Sequence, residues 1–518
     1  MRKTFLIPSI ADLIFLCVFV IILVVFRSGD FTSALLSDGD TAHHIRAGDV
    51  TLQMGRVPRH DMFSFITPPL EWVAHSWLAE VLMALVYKVF GLTGIVLVFA
   101  TLIAFIFRLL FCILRRNSEN ILLVTSIAIL AAASSWLHWH ARPHVFSVLL
   151  ALVWYHLLDD FQYREKNRLY WLPAIYLVWI NLHGGFIIGP ILLVIYFVGN
   201  LFEYVSSNLT EKRPILGRLK TFVTIGLLCV LASFVNPQGF QILLFPFKLT
   251  SDDFLVNIVQ EHLSPDFHGL LPFKYYLLLV IATLAVSRFA LNWIETMLTV
   301  LFTYMALYSA RYIPLFAVIL APIWLRLLDR LLQDSPGWIA EQLKVRSRNL
   351  TLSDARAVGG VWAAACVVAV CGLGMSGTLR FEFNPKTFPV KAVEFMRQAN
   401  IAGNMFNDPK FGDYIILYAW PQYRVFGDGR ADMYGVNIGR DFLNLQSAQP
   451  GWEEVTHKYG ITWVIDRSRS RLAEVLRDRP DWRLIYADET AVLYVKAIDM
   501  HRRLIEQYGA TVALPKVN

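Results

Sequence analysis

Long apolar runs recur along most of this 518-residue chain, and they restrict its fold more than any other feature. Hydrophobic residues make up 56% of the sequence and charged residues only 17%, whereas soluble domains carry about 25% charged residues. Many runs reach the roughly 17–25 residues that a helix needs to cross a lipid bilayer. The chain is therefore predicted to be a polytopic α-helical membrane protein.

We predict about eleven spans, and the distribution of Arg and Lys then sets their orientation. With a cytoplasmic N-terminus, the basic connections at 115–116, 164–168, 212–220 and 329–357 all lie on the cytoplasmic side. The odd number of spans places the C-terminus outside. The short apolar stretch 77–90 is interpreted as interfacial, because counting it as a span would separate these basic connections. The predicted spans are 10–26, 91–114, 119–137, 145–161, 169–182, 186–205, 220–235, 273–288, 291–309, 312–328 and 358–378.

The distribution of charged residues and cysteines excludes several other classes of protein. The isoelectric point near 9.0 fits the basic connections, and the charges are too scattered for a nucleic-acid surface. The first apolar run, Ile10–Phe26, lacks the small-residue pattern of a cleaved leader and is expected to be a retained span. All five cysteines lie in apolar runs, so neither a disulfide framework nor a zinc site is predicted.

The composition changes near residue 380. Residues 1–379 are predicted to form the transmembrane domain, with an outer loop at about 27–90, and residues 380–518 a soluble extracytoplasmic α/β domain. Residues 392–400 have a helical pattern. A second helix at 470–478, lying between two strands, predicts a crossover unit. The predicted strands are 423–428, 461–466, 482–487 and 491–496.

The motif Asp38-Gly39-Asp40 follows the first span. Ionised side chains near a bilayer cost several kcal/mol unless water, a cation or a partner satisfies them. Such a pair can hold a divalent cation, here Mg²⁺ or Mn²⁺, through hard oxygen ligands. Alternatively, one Asp acts as a general base on an acceptor hydroxyl, or Asp40 caps the short helix that we predict on the surface at 41–54.

Other polar side chains are predicted to converge on the same membrane face. Arg142 and Arg311 are candidates to bind a phosphate through bidentate hydrogen bonds, the alternative being contact with lipid head groups. The loops involved are 27–76, 138–144, 181–185, 236–272 and 309–314. Further candidate binding residues are His44, His75, Glu80, His144, His183, Asn181, Asp428 and Arg430.

Two patterns are less specific. The tail segments 407–418 and 424–435 are rich in Gly, Asp and aromatic residues, which suits sugar binding but also ordinary turns. Asp413 and Asp432 join the candidates there. The histidines at 43–44 and 138–144 follow no zinc-site spacing, so a dedicated transition-metal site is not favoured. No Walker A motif is present.

Several blocks together resemble bacterial membrane proteins of the GT-C glycosyltransferase superfamily. They are "DGDTAHHIRAGDVTLQMGRVPRHDMFSF", "WVAHSWLAEVL", "ARPHVFS", "NLHGGF", "NPQG" and "RVFGDGRADMYG", which extend over about 38–320 and 404–496. Superfamily members take a sugar from a polyprenyl-phosphate carrier on the extracytoplasmic face. An acidic motif of their first outer loop is matched here by Asp38 and Asp40, although Gly39 separates the pair.

The resemblance implies a hexosyl- or pentosyltransferase of the bacterial cytoplasmic (inner) membrane that serves cell-envelope glycan biosynthesis. It implies a polyprenyl-phosphate-linked sugar donor and a lipid, glycan or protein acceptor. Asp40 and Asp38 are the expected catalytic residues. The tail has no "WWDYG"-type signature, which disfavours N-linked transfer of a whole glycan. A lipid-linked oligosaccharide polymerase or ligase, or a lipid or glycan transporter, remain the alternatives.

Overall fold

The computed structural model describes residues 4–25, 32–250, 262–269, 271–334 and 337–509. Its contacts divide the chain into two compact units. The helical unit comprises residues 1–26, 97–139 and 143–379. The mixed unit comprises residues 27–96, 140–142 and 380–518.

The described residues form helices and one small sheet. The helices are α1 Ile10–Val20, α2 Asp40–Met54, α3 Trp77–Arg115, α4 Ile121–Ser135, α5 His144–Arg164, α6 Leu172–Leu182, α7 Ile188–Ser206, α8 Leu209–Ser233, α9 Phe245–Thr250, α10 Pro272–Val286, α11 Trp293–Tyr308, α12 Ile313–Asp334, α13 Trp338–Asp354, α14 Val361–Met375, α15 Val390–Ala399, α16 Pro409–Ala419, α17 Ala431–Gln446, α18 Trp452–Lys458, α19 Arg471–Arg477 and α20 Arg502–Tyr508. The strands are β1 Asn404–Asn407, β2 Ile461–Arg467, β3 Trp482–Ala487 and β4 Ala491–Lys496.

In the helical unit, α12 is the most deeply buried helix. Residues 313–325 are all buried, and the helix packs against α4, α5, α10 and α11. Two polar side chains in this core have partners within the protein: Tyr276 Oη donates to Ala317 O at 3.2 Å, and Trp324 Nε1 donates to Thr283 Oγ1 at 2.8 Å. Such pairing is required where no water is available to hydrogen-bond.

Long apolar helices confirm a multi-pass membrane protein. Among the described residues, five helices are long and apolar enough to cross a bilayer, and five shorter apolar helices accompany them. Each of the eleven predicted spans overlaps a helix, while the number of spans and their orientation stay predictions. α3 is interrupted at Gly91, whose φ of 61° and ψ of −158° are not helical. This break lies between the stretch 77–90, predicted to be interfacial, and the predicted span that follows it.

The mixed unit contains a four-stranded sheet in the order β1-β2-β4-β3. β1 and β2 are parallel, and β4 is antiparallel to both β2 and β3. The predicted strands corresponding to β2, β3 and β4 are confirmed, as are the helices α15 and α19. Because α19 leads from β2 to β3 and β4 lies between these two strands, the predicted crossover passes over one strand.

The predicted strand at 423–428 is wrong. Val425 makes only an isolated bridge to Ser64, with Val425 N donating to Phe63 O at 3.0 Å and Phe65 N donating to Val425 O at 3.2 Å. The partner segment is too short for a ladder, so the apolar residues of this stretch pack as loop residues. The sheet strand β1, which lies nineteen residues earlier in the chain, was not predicted.

α2 is buried rather than on the surface, which corrects a second expectation. Ala42, Ile45, Ala47 and Val50 are all buried, because the helix packs against α16. Arg46 fixes this packing by donating to the backbone carbonyls of Ile416 and Leu417 near the end of α16.

The outer loop groups with the C-terminal residues in the mixed unit. Ile66 belongs to a hydrophobic cluster that includes Phe406, Phe426 and Val464. The boundary near residue 380 coincides with a unit boundary, while the division into a catalytic domain (1–379) and a soluble domain (380–518) stays a prediction. Residues 26–31, 251–261 and 270, which fall within the predicted first span, outer loop and polar segment 236–272, lie outside the described residues.

Candidate active site

The acidic turn stands at the start of α2, in the mixed unit. Asp40 is the first residue of the helix, and Gly39 occupies the cap position without a side-chain hydrogen bond. The interpretation of Asp40 as a helix cap is therefore wrong. Instead, Asp38 Oδ1 accepts the backbone N–H of Asp40 at 3.3 Å, which holds the Asp38 carboxylate at the beginning of the helix.

Arg142 joins the two carboxylates. Its Nη1 lies 2.6 Å from Asp38 Oδ2, and its Nη2 lies 2.6 Å from Asp40 Oδ2. The segment that carries Arg142 is fixed by Ala141, whose carbonyl accepts Thr41 Oγ1 at 3.1 Å. Charge-assisted pairs of this length are strong, so this guanidinium holds both carboxylates in one arrangement. The three side chains remain between 15% and 23% exposed, which leaves the cluster open to a ligand.

His43 and Asp413 form a buried pair beside this turn. His43 Nδ1 lies 2.8 Å from Asp413 Oδ1, and the same oxygen accepts the N–H of Gly429 at 2.9 Å. Burial raises the pKa of Asp413 well above its ordinary value, and the charge of Asp428 adds to this effect. Burial likewise raises the pKa of Asp40, against the opposing charge of Arg142. Two acidic groups are thus held together where ionising both is unfavourable.

His44, the next residue of α2, forms a second histidine–carboxylate pair. Its Nδ1 lies 2.9 Å from Glu80 Oε1, and its ring lies 4.2 Å from that of His43, centroid to centroid. Gly48 permits this approach of α2 to α3, because a Cβ at that position would lie 1.9 Å from the carbonyl oxygen of Glu80. The predicted residues His44 and Glu80 are therefore in contact.

Asp428 and Arg430 form a buried ion pair with a residue that the sequence did not single out. Arg430 Nη2 lies 2.6 Å from Asp428 Oδ2 and 2.8 Å from Asp61 Oδ1. The guanidinium also lies over the rings of Phe63 and Trp72, at 4.9 and 4.8 Å from their centroids. Burial alone would raise the pKa of Asp428, but the adjacent guanidinium holds it below its ordinary value.

The remaining predicted residues make contacts within their own units. His75, in the mixed unit, has its Nδ1 at 3.2 Å from Val73 O. The other four belong to the helical unit. His144 Nε2 lies 2.8 Å from His138 O, Arg311 Nη1 lies 2.6 Å from His262 Nε2, His183 Nδ1 accepts the N–H of Gly185 at 3.0 Å, and Asn181 Nδ2 donates to Val235 O at 3.0 Å.

One group within the described residues has the composition of a metal site. Ligand atoms of Asp40, His43 and Asp413 all lie within 4.8 Å of one another. Asp38, which the sequence pairs with Asp40 as a ligand, is not in that group. An excess of carboxylates around an imidazole is a donor set that suits a divalent cation, so the residues present fit such an ion.

Comparison with known proteins adds information on the fold alone. No family model and no curated protein matches the chain. Among solved structures, the apo oligosaccharyltransferase of Archaeoglobus fulgidus is similar over 94% of this chain and 74% of its own, with a TM-score of 0.55 and 11% identity. The same enzyme in complex with Zn and sulfate gives a TM-score of 0.50 and 12% identity.

A third structure, ArnT from Cupriavidus metallidurans bound to undecaprenyl phosphate, covers 94% of this chain and 98% of its own at 12% identity and a TM-score of 0.47. The likeness to the archaeal enzyme is low in identity but extends over nearly the whole chain. The chain therefore has the GT-C fold that its sequence blocks predicted.

Proposed function

We propose that this protein transfers a glycosyl group from a polyprenyl-phosphate-linked sugar to an extracytoplasmic lipid, glycan or protein acceptor. The observation that carries the proposal is the acidic turn, in which Arg142 holds Asp38 and Asp40 at 2.6 Å each. Its place in a multi-pass protein that has the fold of an oligosaccharyltransferase supports the same class of reaction.

In the proposed step, the acceptor hydroxyl oxygen forms a bond to the anomeric carbon of the sugar. The bond from that carbon to the phosphate oxygen breaks, and polyprenyl phosphate leaves with the electron pair. Asp40 takes the hydroxyl proton or orients the hydroxyl, with Asp38 as its partner. A raised pKa suits a general base, because proton transfer is most effective when the pKa lies near the working pH.

Arg142 and Arg311 are the proposed cations for the negative charge on the departing phosphate. Since Arg142 already binds two carboxylates, we propose that it also positions them. A divalent cation, Mg²⁺ or Mn²⁺, bound at Asp40 would neutralise part of the same charge. The other proposed binding residues are His44, His75, Glu80, His144, His183, Asn181, Asp428 and Arg430.

We place the protein in the bacterial cytoplasmic membrane, with a cytoplasmic N-terminus and an extracytoplasmic C-terminal region. The basic connections support this orientation. A second candidate function is that of a lipid-linked oligosaccharide polymerase or ligase. It is favoured by the likeness to an oligosaccharyltransferase, and it differs in taking a longer glycan from its carrier.

The test is release of polyprenyl phosphate by the purified protein in lipid nanodiscs, supplied with a panel of polyprenyl-phosphate sugars and crude envelope acceptors. We expect release with at least one donor. Asp40→Asn should lower the rate by roughly 10²–10⁴-fold, the usual contribution of a positioned base.

Asp49→Asn is the matched control. Asp49 lies on the same helix but pairs with Arg46 at 3.0 Å and Lys88 at 2.8 Å, so its substitution should leave release nearly unchanged. Release of the carrier only when the donor is a lipid-linked oligosaccharide would favour the polymerase or ligase. No release from any donor would remove the transferase proposal.

A further inference from the structure

Two buried side chains of opposite charge each have one atom without a partner. Glu80 is 3% exposed and Arg430 is 4% exposed, and both belong to the mixed unit. Among the residues that the structure describes, neither Glu80 Oε2 nor Arg430 Nη1 has a hydrogen-bond partner. Most buried polar atoms of folded proteins are paired with the protein or with water. An acceptor and a donor left unpaired in one unit therefore require an explanation.

Glu80 and Arg430 lie near each other without forming an ion pair. Burial raises the pKa of Glu80, in the stretch predicted to be interfacial, to about 7, and the charges of His43 and Arg430 oppose this effect. Arg430 is thus close enough for its charge to act on the carboxylate. Its ion pairs within the described residues, however, are with Asp61 and Asp428. A gap therefore separates the acceptor oxygen from the donor nitrogen, and a small polar group can bridge it.

The guanidinium of Arg430 is fixed by its other contacts. Its Nε lies 2.9 Å from Asp428 Oδ1, and its Nη2 lies 2.6 Å from Asp428 Oδ2 and 2.8 Å from Asp61 Oδ1. The rings of Phe63 and Trp72 pack against it, with centroids 4.9 and 4.8 Å away. Nη1 is therefore held in one direction, where its N–H groups can donate to a ligand.

The carboxylate of Glu80 is fixed as well. Its Oε1 lies 2.9 Å from His44 Nδ1, which leaves Oε2 as the acceptor. The backbone N–H of Glu80 donates to Ser76 O at 3.0 Å, so the two residues are one turn apart at the start of α3. Ser76 Oγ is a further buried atom without a partner in the described part of the chain. Residues four apart share one face of a helix, so this hydroxyl adds to the polar character of the same face.

The charges around the gap favour a neutral hydroxyl group as its occupant. Asp61 and Asp428 already balance the charge of Arg430, so Nη1 offers little net attraction to a phosphate. The same guanidinium repels an ammonium group. A hydroxyl group can accept a hydrogen bond from Nη1 and donate one to Glu80 Oε2 at the same time. Neutral sugars carry several such groups.

We propose that Glu80 and Arg430 bind a hydroxyl group of the transferred sugar and thereby select among donor sugars. This inference rests on the proposed function, which supplies a sugar at the acidic turn. Gly429, the neighbour of Arg430 in the chain, lies against Asp40, because a Cβ at this glycine would lie 2.1 Å from Asp40 Oδ1. A sugar whose anomeric carbon reacts beside Asp40 is therefore brought near this pair.

The experiment compares the donor that the wild-type protein uses with analogues that each lack one hydroxyl group of the sugar ring. We expect one analogue to release polyprenyl phosphate roughly 10–100-fold more slowly than the intact donor, because it leaves buried polar atoms unpaired. Glu80→Gln should lower that ratio by roughly 5–10-fold, since a neutral amide makes a weaker hydrogen bond than a carboxylate. Glu71→Gln is the matched control, because the Glu71 side chain is exposed, and it should keep the wild-type ratio.

A second measurement needs no glycosyl transfer. Methyl glycosides of the same sugars are added to the full-length protein in nanodiscs, and saturation-transfer difference NMR detects the bound sugar. We expect binding to the wild-type protein that is weakened in Glu80→Gln and unchanged in Glu71→Gln. Thermal unfolding verifies that both variants fold.

Equal release by the wild-type protein from all analogues would mean that water alone occupies the gap, and it would overturn the proposal. An unchanged ratio in folded Glu80→Gln would do the same, and either result would leave the transferase standing. Glycoside binding as expected without release of polyprenyl phosphate would keep the hydroxyl site and remove the transferase proposal. Folded wild-type protein that neither releases polyprenyl phosphate nor binds a glycoside would remove both.

Discussion

Gly429 shows how far one missing side chain determines the candidate site. The loop that contains it approaches the acidic turn so closely that a methyl group would overlap Asp40 Oδ1. Gly429 N also donates to Asp413 at 2.9 Å. Gly429 is thus in close contact with the carboxylate of Asp40 and hydrogen-bonded to the carboxylate of Asp413. It thereby limits the distance between the two carboxylates.

Gly429→Ala should therefore lower the transfer rate by on the order of 100-fold, because displacing reacting groups by about 1 Å has that effect. The measurement is the release assay with matched protein amounts. Gly217→Ala is the control, since a Cβ there meets no atom within 4 Å, and it should behave as wild type. Normal release by Gly429→Ala would mean that Asp40 and Asp413 do not act together.

The sequence predicted much of the acidic cluster but not its connections. Asp38, Asp40, Arg142, His44 and Glu80 were all candidates, because charged and titratable residues near a membrane face need a reason to be there. Their pairing could not be read from spacing. The contact between His43 and Asp413 crosses 370 residues, and Asp61 resembles any loop carboxylate until Arg430 is found beside it.

At the scale of single elements, β2 carries a buried acid. Asp466 is 1% exposed, and its Oδ1 accepts the N–H of Arg467 at 2.8 Å. Burial raises the pKa of Asp466 to about 6. Since this value exceeds the ordinary 3.8, the folded chain binds the proton more tightly than the unfolded chain does. Ionisation of Asp466 therefore lowers the free energy of unfolding.

The stabilisation from this proton is complete below about pH 4 and is lost as the pH rises through about 6, at a cost of about 3 kcal/mol. Asp466→Asn should therefore be more stable than wild type at pH 8 and should lose less stability between pH 4 and pH 8. Thermal unfolding followed by tryptophan fluorescence measures both. The exposed Asp481→Asn should keep the wild-type pH dependence, and an identical dependence in Asp466→Asn would contradict the expectation.

Periodicity predicted the elements well where burial was regular. The apolar runs gave helices, and three alternating segments gave β2, β3 and β4. The segment 423–428 has the same composition, yet its neighbour is the short loop 63–65 and not a strand. The four-residue β1 is too short for any pattern to show. Strand identity there depends on partners, which composition does not contain.

For the whole molecule, the prediction to test is the orientation of its helices in the membrane. α4 is preceded by the basic residues Arg115 and Arg116 and followed by the polar segment 138–144. The predicted topology places the first connection in the cytoplasm and the second outside.

Reporter fusions after Arg116 and after His140 should therefore give opposite results. The first should be active in a cytoplasmic reporter, and the second in an extracytoplasmic one. Because both fusions flank one helix, each is the control of the other. Reversed signals would show that residues 77–90 cross the membrane and would invert the remaining topology.

The mixed unit is assembled from three stretches of chain, residues 27–96, 140–142 and 380–518, and this has a consequence for biosynthesis. A ribosome that adds about 5–20 residues per second needs about 20–70 seconds to pass from His43 to Asp413. The acidic turn is present throughout that interval and Arg142 for most of it, but their C-terminal partners have not yet been made. A truncated chain that ends before residue 409 is expected to insert its helices and still lack part of the candidate site, so the proposed transfer would begin only when synthesis is nearly finished.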